Sequence, residues 1–432
     1  MIGIQEAFDV LQEAAEPVGT EEVALGELAG RVAARELRAG DPVPDFRRAM
    51  MDGYAVRSDD VAGAAPGDPV TLRVTGGVAA GARLEGGPGP GEAWEIATGA
   101  PLPGAADGVV PYEWTRERED GGALRVEVRR SLGAGAKGAN VAPPGEDLEA
   151  GALVLAEGRV ADARHVAALA AAGAGAAPVR RRPRAAVVST GDELVPPGGP
   201  RPPGQVHDSN GPWLASAVRE AGCEVVHAGR AADREEKLRA ELEAALAEPP
   251  DVVLTTGGVS VGPRDLVPDA WRALGLEELF HGVAIKPGKP VLAGRLPGRG
   301  PGGRDVAVVA LSGTPAAGAA AYAALVRPML LRTAGRRAVM PRPVRMRVEE
   351  GYPKEADMTR LLWCRVDGTG DPLPASLAPV LEHAKLAGVC RADALAVMPA
   401  GTGPWPAGEV VRGFRLDRPP AEPTFRFRPS GP

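Results

Sequence analysis

Between residues 185 and 330 the sequence alternates short apolar runs with segments of helical periodicity, and this alternation constrains the fold more than any other feature. The apolar runs AAVVST, CEVVHAG, DVVLTTG, VLAGRL and VAVVALS each have the length of a strand. Helices are predicted from Pro212 to Ala221 and from Arg234 to Glu248. Strands that alternate with helices predict a doubly wound, mostly parallel α/β domain.

The flanking sequence predicts three further parts. IQEAFDVLQEA and the stretch around LGELAGRVAARELRA repeat apolar residues every three or four positions and predict two helices, whereas the following region has short β-like runs between Gly and Pro clusters. We therefore expect a multidomain α/β plus β protein, divided into a discontinuous mixed N-terminal domain (1–43 and 140–178), an inserted β domain (44–139), the α/β domain (179–333) and a C-terminal β domain (334–432).

Composition excludes several classes of protein. With 44% hydrophobic and 25% charged residues the 432-residue chain has the balance of a soluble globular protein, and its net charge of −6 argues against binding nucleic acid. The uncharged stretch from Val306 to Val326 is interrupted by polar residues and proline, which predicts a strand, a turn and a helix rather than a membrane span. The N-terminus lacks a basic signal-peptide region, so we expect a cytoplasmic protein.

The segment TTGGVSVGPRD, followed within forty residues by AIKPGKP, has the residues that a phosphorylated ligand requires. Backbone N–H groups at Gly257 and Gly258 can approach phosphate oxygens, and Lys286 and Lys289 can neutralise their charge. Asp265 could hold Mg²⁺. The alternative is a turn that needs glycine, together with a pair of solvated lysines.

Polar residues also follow the other predicted strands. Ligands bind beyond the carboxyl ends of the strands in open α/β sheets. The residues at these ends are Asp192, Glu193, Asp208, Ser209, Asn210, Asp233, Gly257, Gly258, Ser260 and Asp265. Carboxylates and lysines that converge on one crevice are expected to share a metal ion and an anionic ligand. The alternative for Asp208 and Asp233 is that they cap helices.

With these motifs in hand, the chain resembles the molybdopterin molybdenumtransferase family, which contains the MoeA and gephyrin E-domain proteins. The resemblance covers almost the whole chain. It rests on six motifs in the family's order, namely AMMDGYAV, ATGAPLP, GEDLEAG, STGDEL, GGVSVG and AIKPGKP.

The resemblance implies a Mg²⁺-dependent homodimeric enzyme that inserts molybdenum from molybdate into adenylylated molybdopterin and releases AMP. Its site would lie between the α/β domain of one subunit and the inserted domain of the other, with Asp52 and Thr98 facing the partner's crevice. The implied metal or substrate ligands are Asp192, Glu193, Asp233 and Asp265; the anion-binding groups are Lys286 and Lys289; further ligand contacts are Gly257, Gly258, Ser260, Asp208, Ser312, Gly313 and Thr314. A molybdopterin adenylyltransferase and molybdoenzymes are possible partners.

Three departures from the family pattern are visible. LSGTP stands where the family has LPGNP, Ala142 replaces an arginine, and the QGS motif cannot be found around Leu381 to Leu386. They leave open a paralogue that inserts tungstate. A catalytically silent dimeric scaffold is a further alternative, but the retained carboxylates and lysines argue against it.

Overall fold

The computed structural model describes residues 1–133, 136–260, 262, 265–341, 343–368, 372–377 and 385–416. Along the chain these residues form an N-terminal region with an inserted sheet, a central α/β domain and a C-terminal barrel. None of the helices they contain is both long enough and apolar enough to cross a membrane.

The N-terminal region consists of short paired strands around an inserted sheet. Its elements are α1 (Ile4–Ala14), β1 (Thr20–Ala24), β2 (Leu37–Arg38), β3 (Arg48–Ala49), β4 (Gly53–Val56), β5 (Val70–Val78), β6 (Glu92–Ile96), β7 (Gly108–Pro111), β8 (Thr115–Asp120), β9 (Ala123–Val128), β10 (Val141–Ala142), β11 (Leu153–Leu155), α2 (Ala163–Ala171) and β12 (Ala176–Arg180). Short 3₁₀ turns lie at Leu25–Glu27, Ser58–Val61 and Tyr112–Trp114.

Strand pairing shows that the chain leaves this region and returns to it. β1 pairs with β12, β2 with β11 and β3 with β10, so segments on either side of the inserted sheet form common ladders. The inserted sheet has the strand order β7-β4-β6-β5-β9-β8. Leu28 and Leu37 share one core with Leu155 and Leu169, which follow the insertion. A small β domain is therefore inserted into a mixed one.

The second helix predicted in the N-terminal region is wrong. Only the 3₁₀ turn at Leu25–Glu27 forms there. Gly30 has φ of 82°, Val32 bridges to Val160, and Ala33 bridges to Val179. Because each of these pairings requires extended backbone, the apolar residues that suggested a helix face their core from short strands instead.

The α/β domain is a mostly parallel six-stranded sheet with helices on both faces. Its elements are β13 (Arg184–Thr190), β14 (Leu194–Val195), β15 (Val206–His207), α3 (Asn210–Glu220), β16 (Glu224–Ala231), α4 (Glu235–Ala247), β17 (Val252–Thr256), α5 (Val267–Ala273), β18 (Glu277–His281), β19 (Ile285–Lys286), β20 (Val291–Leu296), a 3₁₀ turn (Pro301–Gly303), β21 (Val306–Leu311), α6 (Pro315–Ala321), a π-helical turn (Tyr322–Val326) and α7 (Arg327–Thr333). The strand order is β16-β13-β17-β21-β20-β18, and β20 and β18 run antiparallel to their neighbours.

Two apolar cores fill the space between this sheet and its helices. One core joins the sheet to α1, α3 and the helix that begins at Pro315, with Leu11, Leu214 and Leu330 fully buried. The other joins the opposite face to α4 and α5 through Leu238 and Trp271. Helices on both faces confirm the doubly wound fold class.

The C-terminal strands close into a small barrel. The elements are β22 (Pro343–Val348), β23 (Thr359–Val366), β24 (Leu373–Leu377), α8 (Leu386–Arg391), β25 (Ala394–Met398) and β26 (Val410–Arg415). The order β23-β24-β22-β26-β25 is closed by pairing of β23 with β25. β19 adds to this sheet beside β23, although it belongs to the lysine segment that precedes β20.

Candidate functional site

Three parallel strands of the central sheet end side by side and carry the loops of the candidate site. β13 ends at Thr190, β17 at Thr256 and β21 at Leu311. Gly257 has φ of 98°, and a Cβ atom there would lie 2.3 Å from the carbonyl oxygen of Thr190. A Cβ atom on Gly313 would lie 3.2 Å from Cα of Gly257. Backbone contact between the loops explains Gly257 without a ligand, and its phosphate-binding role stays a prediction.

Asp208 is a buried carboxylate that fixes the start of α3. It is 6% exposed, its Oδ2 accepts a hydrogen bond from Ser189 Oγ at 2.5 Å, and its Oδ1 accepts one from the backbone N–H of Gly211 at 2.9 Å. Gly211 lies in the first helical turn, where N–H groups have no intrahelical partner. The alternative that Asp208 caps a helix therefore accounts for this residue.

Asn210, at the start of α3, bonds to the loops at two of these strand ends. Its Nδ2 donates to Thr256 Oγ1 at 3.1 Å and to the carbonyl oxygen of Gly313 at 2.8 Å. Thr256 Oγ1 in turn donates to the carbonyl oxygen of Ser312 at 3.2 Å. Sequence reasoning placed Asn210 among the polar residues beyond the strand ends without assigning it these contacts, and it did not single out Thr256. The available signal was a polar residue at the end of an otherwise apolar strand.

A second residue that sequence reasoning missed is His281 at the end of β18. Its Nε2 donates to the carbonyl oxygen of Val259 at 3.0 Å, and so holds the glycine-containing loop from the side. Ser260, the next residue in that loop, is exposed. The loop is therefore anchored by a neighbouring strand, while the predicted ligand-binding hydroxyl faces solvent.

Three of the four carboxylates predicted to bind a metal lie within electrostatic range of the fourth, Asp233. Burial raises the pKa of Asp233, and the negative charges of Asp192, Glu193 and Asp265 raise it further. A hydrogen bond with Asp192 acts in the opposite direction and lowers this pKa. The backbone N–H of Asp233 donates to Asp192 Oδ1 at 3.1 Å, and Asp265 Oδ2 accepts from the N–H of Gly262 at 2.7 Å. The structure thus concentrates negative charge at this edge of the sheet.

These carboxylates supply suitable donors for Mg²⁺ but do not form a closed cage. In the part of the chain that the structure describes, no three His, Cys, Asp or Glu side chains are gathered closely enough to hold a metal ion. Mg²⁺ prefers hard oxygen ligands and is commonly held by one or two carboxylates together with water and substrate phosphates. A bound dication would relieve the repulsion between Asp233 and the neighbouring carboxylates. Asp233 does not cap α4, whose N-cap is Arg234 without a side-chain bond.

Lys286 and Lys289 reach the same edge of the sheet from the β18 side. The register places Val291, at the start of β20, opposite Leu311, at the end of β21, so the lysine segment lies beside the other strand ends. Lys286 is held in β19 opposite Arg360 of the barrel. Both lysines are exposed, and neither makes an ion pair or a side-chain hydrogen bond to any residue whose placement is described. Their ammonium groups are therefore available to an anion.

Asp52 and Thr98 come together on the inserted domain. Asp52 Oδ1 accepts hydrogen bonds from the backbone N–H of Thr98 at 2.7 Å and from Thr98 Oγ1 at 3.0 Å. These two bonds hold the pKa of Asp52 below its usual value, the backbone bond being the larger cause. No hydrogen bond or ion pair between described residues joins Asp52 or Thr98 to the strand-end residues. The structure brings each group together separately, and a site shared by two subunits stays a prediction.

Comparison with known proteins decides the family. The family model for the MoeA N-terminal region (domain I and II) matches residues 2–173, and that for a probable molybdopterin binding domain matches residues 186–332. The molybdopterin molybdenumtransferase 2 of Mycobacterium tuberculosis is 35% identical over 350 residues, which cover 80% of this chain and 82% of that protein. The chain belongs to the molybdopterin molybdenumtransferase family.

Further relatives agree with this assignment. The molybdopterin molybdenumtransferase of Bacillus subtilis is 30% identical over 396 residues, covering 91% of this chain and 89% of that protein. A solved MoeA protein from Pyrococcus horikoshii has 33% identity and a TM-score of 0.83, covering 97% of this chain and 100% of that one. The predicted identification is confirmed: the chain is a transferase of molybdenum cofactor biosynthesis.

The departures from the molybdopterin molybdenumtransferase pattern fall in different environments. Ser312 Oγ accepts from the backbone N–H of Thr314 at 3.3 Å, so the altered loop forms its own local turn beside Gly313. Ala142 is 1% exposed and pairs with Arg48 at the base of the inserted domain, so its methyl group is turned away from solvent. Residues 381–384, part of the segment that lacks the QGS motif, lie outside the described residues.

Proposed function

We propose that this transferase inserts molybdenum from molybdate into adenylylated molybdopterin, with Mg²⁺ as cofactor and AMP as the released product. The observation that supports the proposal most is the pair of exposed, unpaired ammonium groups of Lys286 and Lys289 at the edge of the sheet where the four carboxylates lie. A polyanionic substrate and a dication together neutralise such a site, whereas either alone leaves charge uncompensated.

The positively and negatively charged residues of the site have different roles. The lysines bind phosphate or molybdate oxygens, and Asp192 and Asp233, joined by a hydrogen bond, are the best placed pair to hold Mg²⁺. When bound, the metal neutralises charge on the phosphate oxygens as the adenylate leaves. Glu193 and Asp265 complete the negative side of the site. Ser260, Gly313 and Thr314 lie on the exposed surface of the loops that would contact the rest of the ligand.

Asp52 is suited to position the ligand or to accept a hydrogen bond from it. Because the bonds from Thr98 lower its pKa, it is ionised at neutral pH and cannot act there as a general acid. An ionised carboxylate can accept a hydrogen bond from the ligand or help to hold the metal. Since Asp52 lies on the inserted domain, we propose that it acts in the crevice of a second subunit of a cytoplasmic homodimer.

The direct test is turnover of adenylylated molybdopterin. Purified protein is incubated with this substrate, Mg²⁺ and either molybdate or tungstate, while AMP release and retained metal are followed. We expect Mg²⁺-dependent AMP release and retention of molybdenum. Preferential retention of tungsten would identify the paralogue suggested by LSGTP, and absence of AMP release would reject the enzymatic proposal in favour of a scaffold.

The anion role of the lysines is tested by binding. Loss of a charge-assisted hydrogen bond to a phosphate or oxyanion is worth ~1.5–3 kcal/mol, so Lys286→Ala and Lys289→Ala should weaken binding of the adenylylated pterin by about tenfold or more in calorimetric titration. Lys→Arg should retain part of the affinity, because the charge is kept. Lys237→Ala on the exposed face of α4 is the matched control. Affinity within about twofold of the parent for both Ala variants would exclude the anion role.

A further inference from the structure

Two arginines lie within electrostatic range of each other at the edge of the α/β domain opposite the strand-end crevice. Arg327 is the first residue of α7, and Arg336 follows the end of that helix. A Cβ atom on Gly222, just after α3, would lie 3.8 Å from Arg336 Nη2, and the charge of Glu220 in the last turn of α3 acts on Arg327. The Arg336 guanidinium therefore lies beside the carboxyl end of α3, whereas Arg327 lies within electrostatic range of Glu220 at that end. Both side chains are half-buried.

Their positive charge is not compensated within the part of the chain that the structure describes. Neither arginine forms an ion pair or a side-chain hydrogen bond there, and Arg336 Nε is buried without a partner. Burial lowers the pKa of both groups, and the positive charge of Arg327 lowers that of Arg336 further. Glu220 acts on Arg327 from a distance but forms no ion pair with it.

Other half-buried arginines of the same domain are paired with carboxylates. Arg181 donates to both carboxylate oxygens of Asp251 at 2.8 and 2.6 Å, and Arg184 forms an ion pair with Glu248. Leaving a half-buried charge unpaired is costly, and the usual compensation is a counter-ion or a polar partner. Arg327 and Arg336 are thus exceptional among the half-buried cations of this domain.

The backbone before Arg327 is also unusual. Residues Tyr322–Val326 form a π-helical turn between α6 and α7, and Tyr322 Oη donates to the carbonyl oxygen of Ala217 in α3 at 2.6 Å. A π turn inserts one extra residue into the helical repeat and recurs at functional sites. Here the π turn directly precedes Arg327, and the Tyr322 bond joins the helix to α3.

We propose that Arg327 and Arg336 bind a tetrahedral oxyanion of the phosphate class, either free or as the terminal group of a monoester. Planar guanidinium groups present paired N–H donors that match phosphate oxygens. The site is separate from the crevice, because Arg327 lies twelve residues along the helix from Pro315, or ~18 Å at 1.5 Å per residue.

The competing explanation is that the two arginines only complement helix ends. Cations near the carboxyl end of a helix interact favourably with its dipole. In that case replacement by Gln lowers the melting temperature in any buffer. If the two arginines form an oxyanion site, replacement by Gln should raise the melting temperature in phosphate-free buffer. The reason is that removing an unpaired half-buried charge relieves both its desolvation and the repulsion between Arg327 and Arg336.

The test uses the full chain carrying Lys286→Ala and Lys289→Ala, so that the crevice lysines do not bind the probe. Inorganic phosphate and glycerol phosphate are titrated calorimetrically at an ionic strength kept constant with chloride, and melting temperatures are measured with and without phosphate. Arg327→Gln and Arg336→Gln are compared with Arg332→Gln, an exposed arginine of the same helix. If a Gln variant does not fold, Arg336→Lys, which keeps the positive charge, is titrated with phosphate in its place.

We expect this background to bind one phosphate per chain, Arg327→Gln and Arg336→Gln to weaken binding by about tenfold or more, and Arg332→Gln to leave it unchanged. Preference for glycerol phosphate would point to a monoester, and preference for inorganic phosphate to the free ion. Absence of binding to the background protein, or affinity unchanged in both Gln variants, would overturn the proposal. A melting temperature lowered equally with and without phosphate would establish the helix-end role instead.

Discussion

At the scale of single residues, the polar groups at the strand ends fall into two classes. Asp208 and Asn210 have their polar atoms engaged by neighbouring loops, so they hold the site together. Lys286, Lys289 and Glu193 are exposed, and the described residues offer them no ion-pair partner. Substitutions in the first class should therefore act mainly on stability, and those in the second mainly on ligand binding.

Asp208→Ala should destabilise the protein measurably. It leaves Ser189 Oγ and the Gly211 N–H without their acceptor, and an unsatisfied buried polar group costs ~1–3 kcal/mol. Urea denaturation should show a free energy of unfolding lowered by about this amount. The control is Ser209→Ala, an exposed neighbour whose side chain makes no capping bond, for which we expect a change within about 0.5 kcal/mol. Equal effects of the two substitutions would contradict the capping role of Asp208.

Asp233→Asn should stabilise the metal-free protein at neutral pH. The pKa of Asp233 is raised by folding, so the folded state binds this proton more tightly and stability falls as the pH rises through that pKa. The variant lacks this loss, so its melting temperature should exceed the parent's at pH 7, and the difference should close below about pH 3.9. Mg²⁺ should raise the parent's melting temperature more than the variant's. Asp45→Asn, at an exposed site, should change neither; a variant less stable than the parent at pH 7 would refute the assignment.

Sequence reasoning located the candidate site but not the bonds that build it. The residues after AAVVST and DVVLTTG were found because parallel strands place their carboxyl ends at one edge. Asn210 and Gly313 are bonded although they are 103 positions apart in the sequence, and no local pattern indicates such a pair. For Asp208, the sequence left cap and ligand contact equally open, and only the positions of Ser189 and Gly211 decide for the cap.

At the scale of elements, the buried strands and the edge strand β16 were predictable, whereas the other edge strand, β18, was not. β13, β17 and β21 are apolar on both faces, so their sequences stand out as continuous apolar runs. β18 reads EELFH and buries only Phe280, so it gives no such signal. The false helix in the N-terminal region arose because short strands that meet a core from several sides can mimic helical spacing.

Gly257→Ala should test the close contact between β13 and β17. The added Cβ would meet the Thr190 carbonyl oxygen at 2.3 Å in a left-handed conformation, and we expect a loss of roughly 2–5 kcal/mol in the free energy of unfolding. Gly275 is a matched control in the same domain, because its φ is 92° and nothing lies within 4 Å of its Cβ position. Gly275→Ala should cost only the conformational term of ~1–2 kcal/mol. Similar losses of unfolding free energy for Gly257→Ala and Gly275→Ala would show that the contact with the Thr190 carbonyl oxygen is not tight.

At the scale of the whole molecule, the candidate site depends on three parts of the chain. The α/β domain carries the carboxylates, the barrel holds Lys286 through the β19–β23 pairing, and the inserted sheet carries Asp52 and Thr98. The first two parts are joined by strand pairing within one chain. The third is bonded to neither among the described residues, which is the arrangement expected if it completes the crevice of another subunit.

The shared site can be tested by mixing inactive chains. Differently tagged Asp52→Ala and Asp265→Ala chains are purified as heterodimers after mixing, and AMP release is measured. If each site combines the inserted domain of one subunit with the crevice of the other, one of the two sites in the heterodimer is intact and about half of the parent activity returns. The matched control mixes Asp52→Ala with Thr98→Ala, which places one altered residue in every site and should recover nothing. Verified Asp52→Ala/Asp265→Ala heterodimers without activity would show that each site is built within a single subunit.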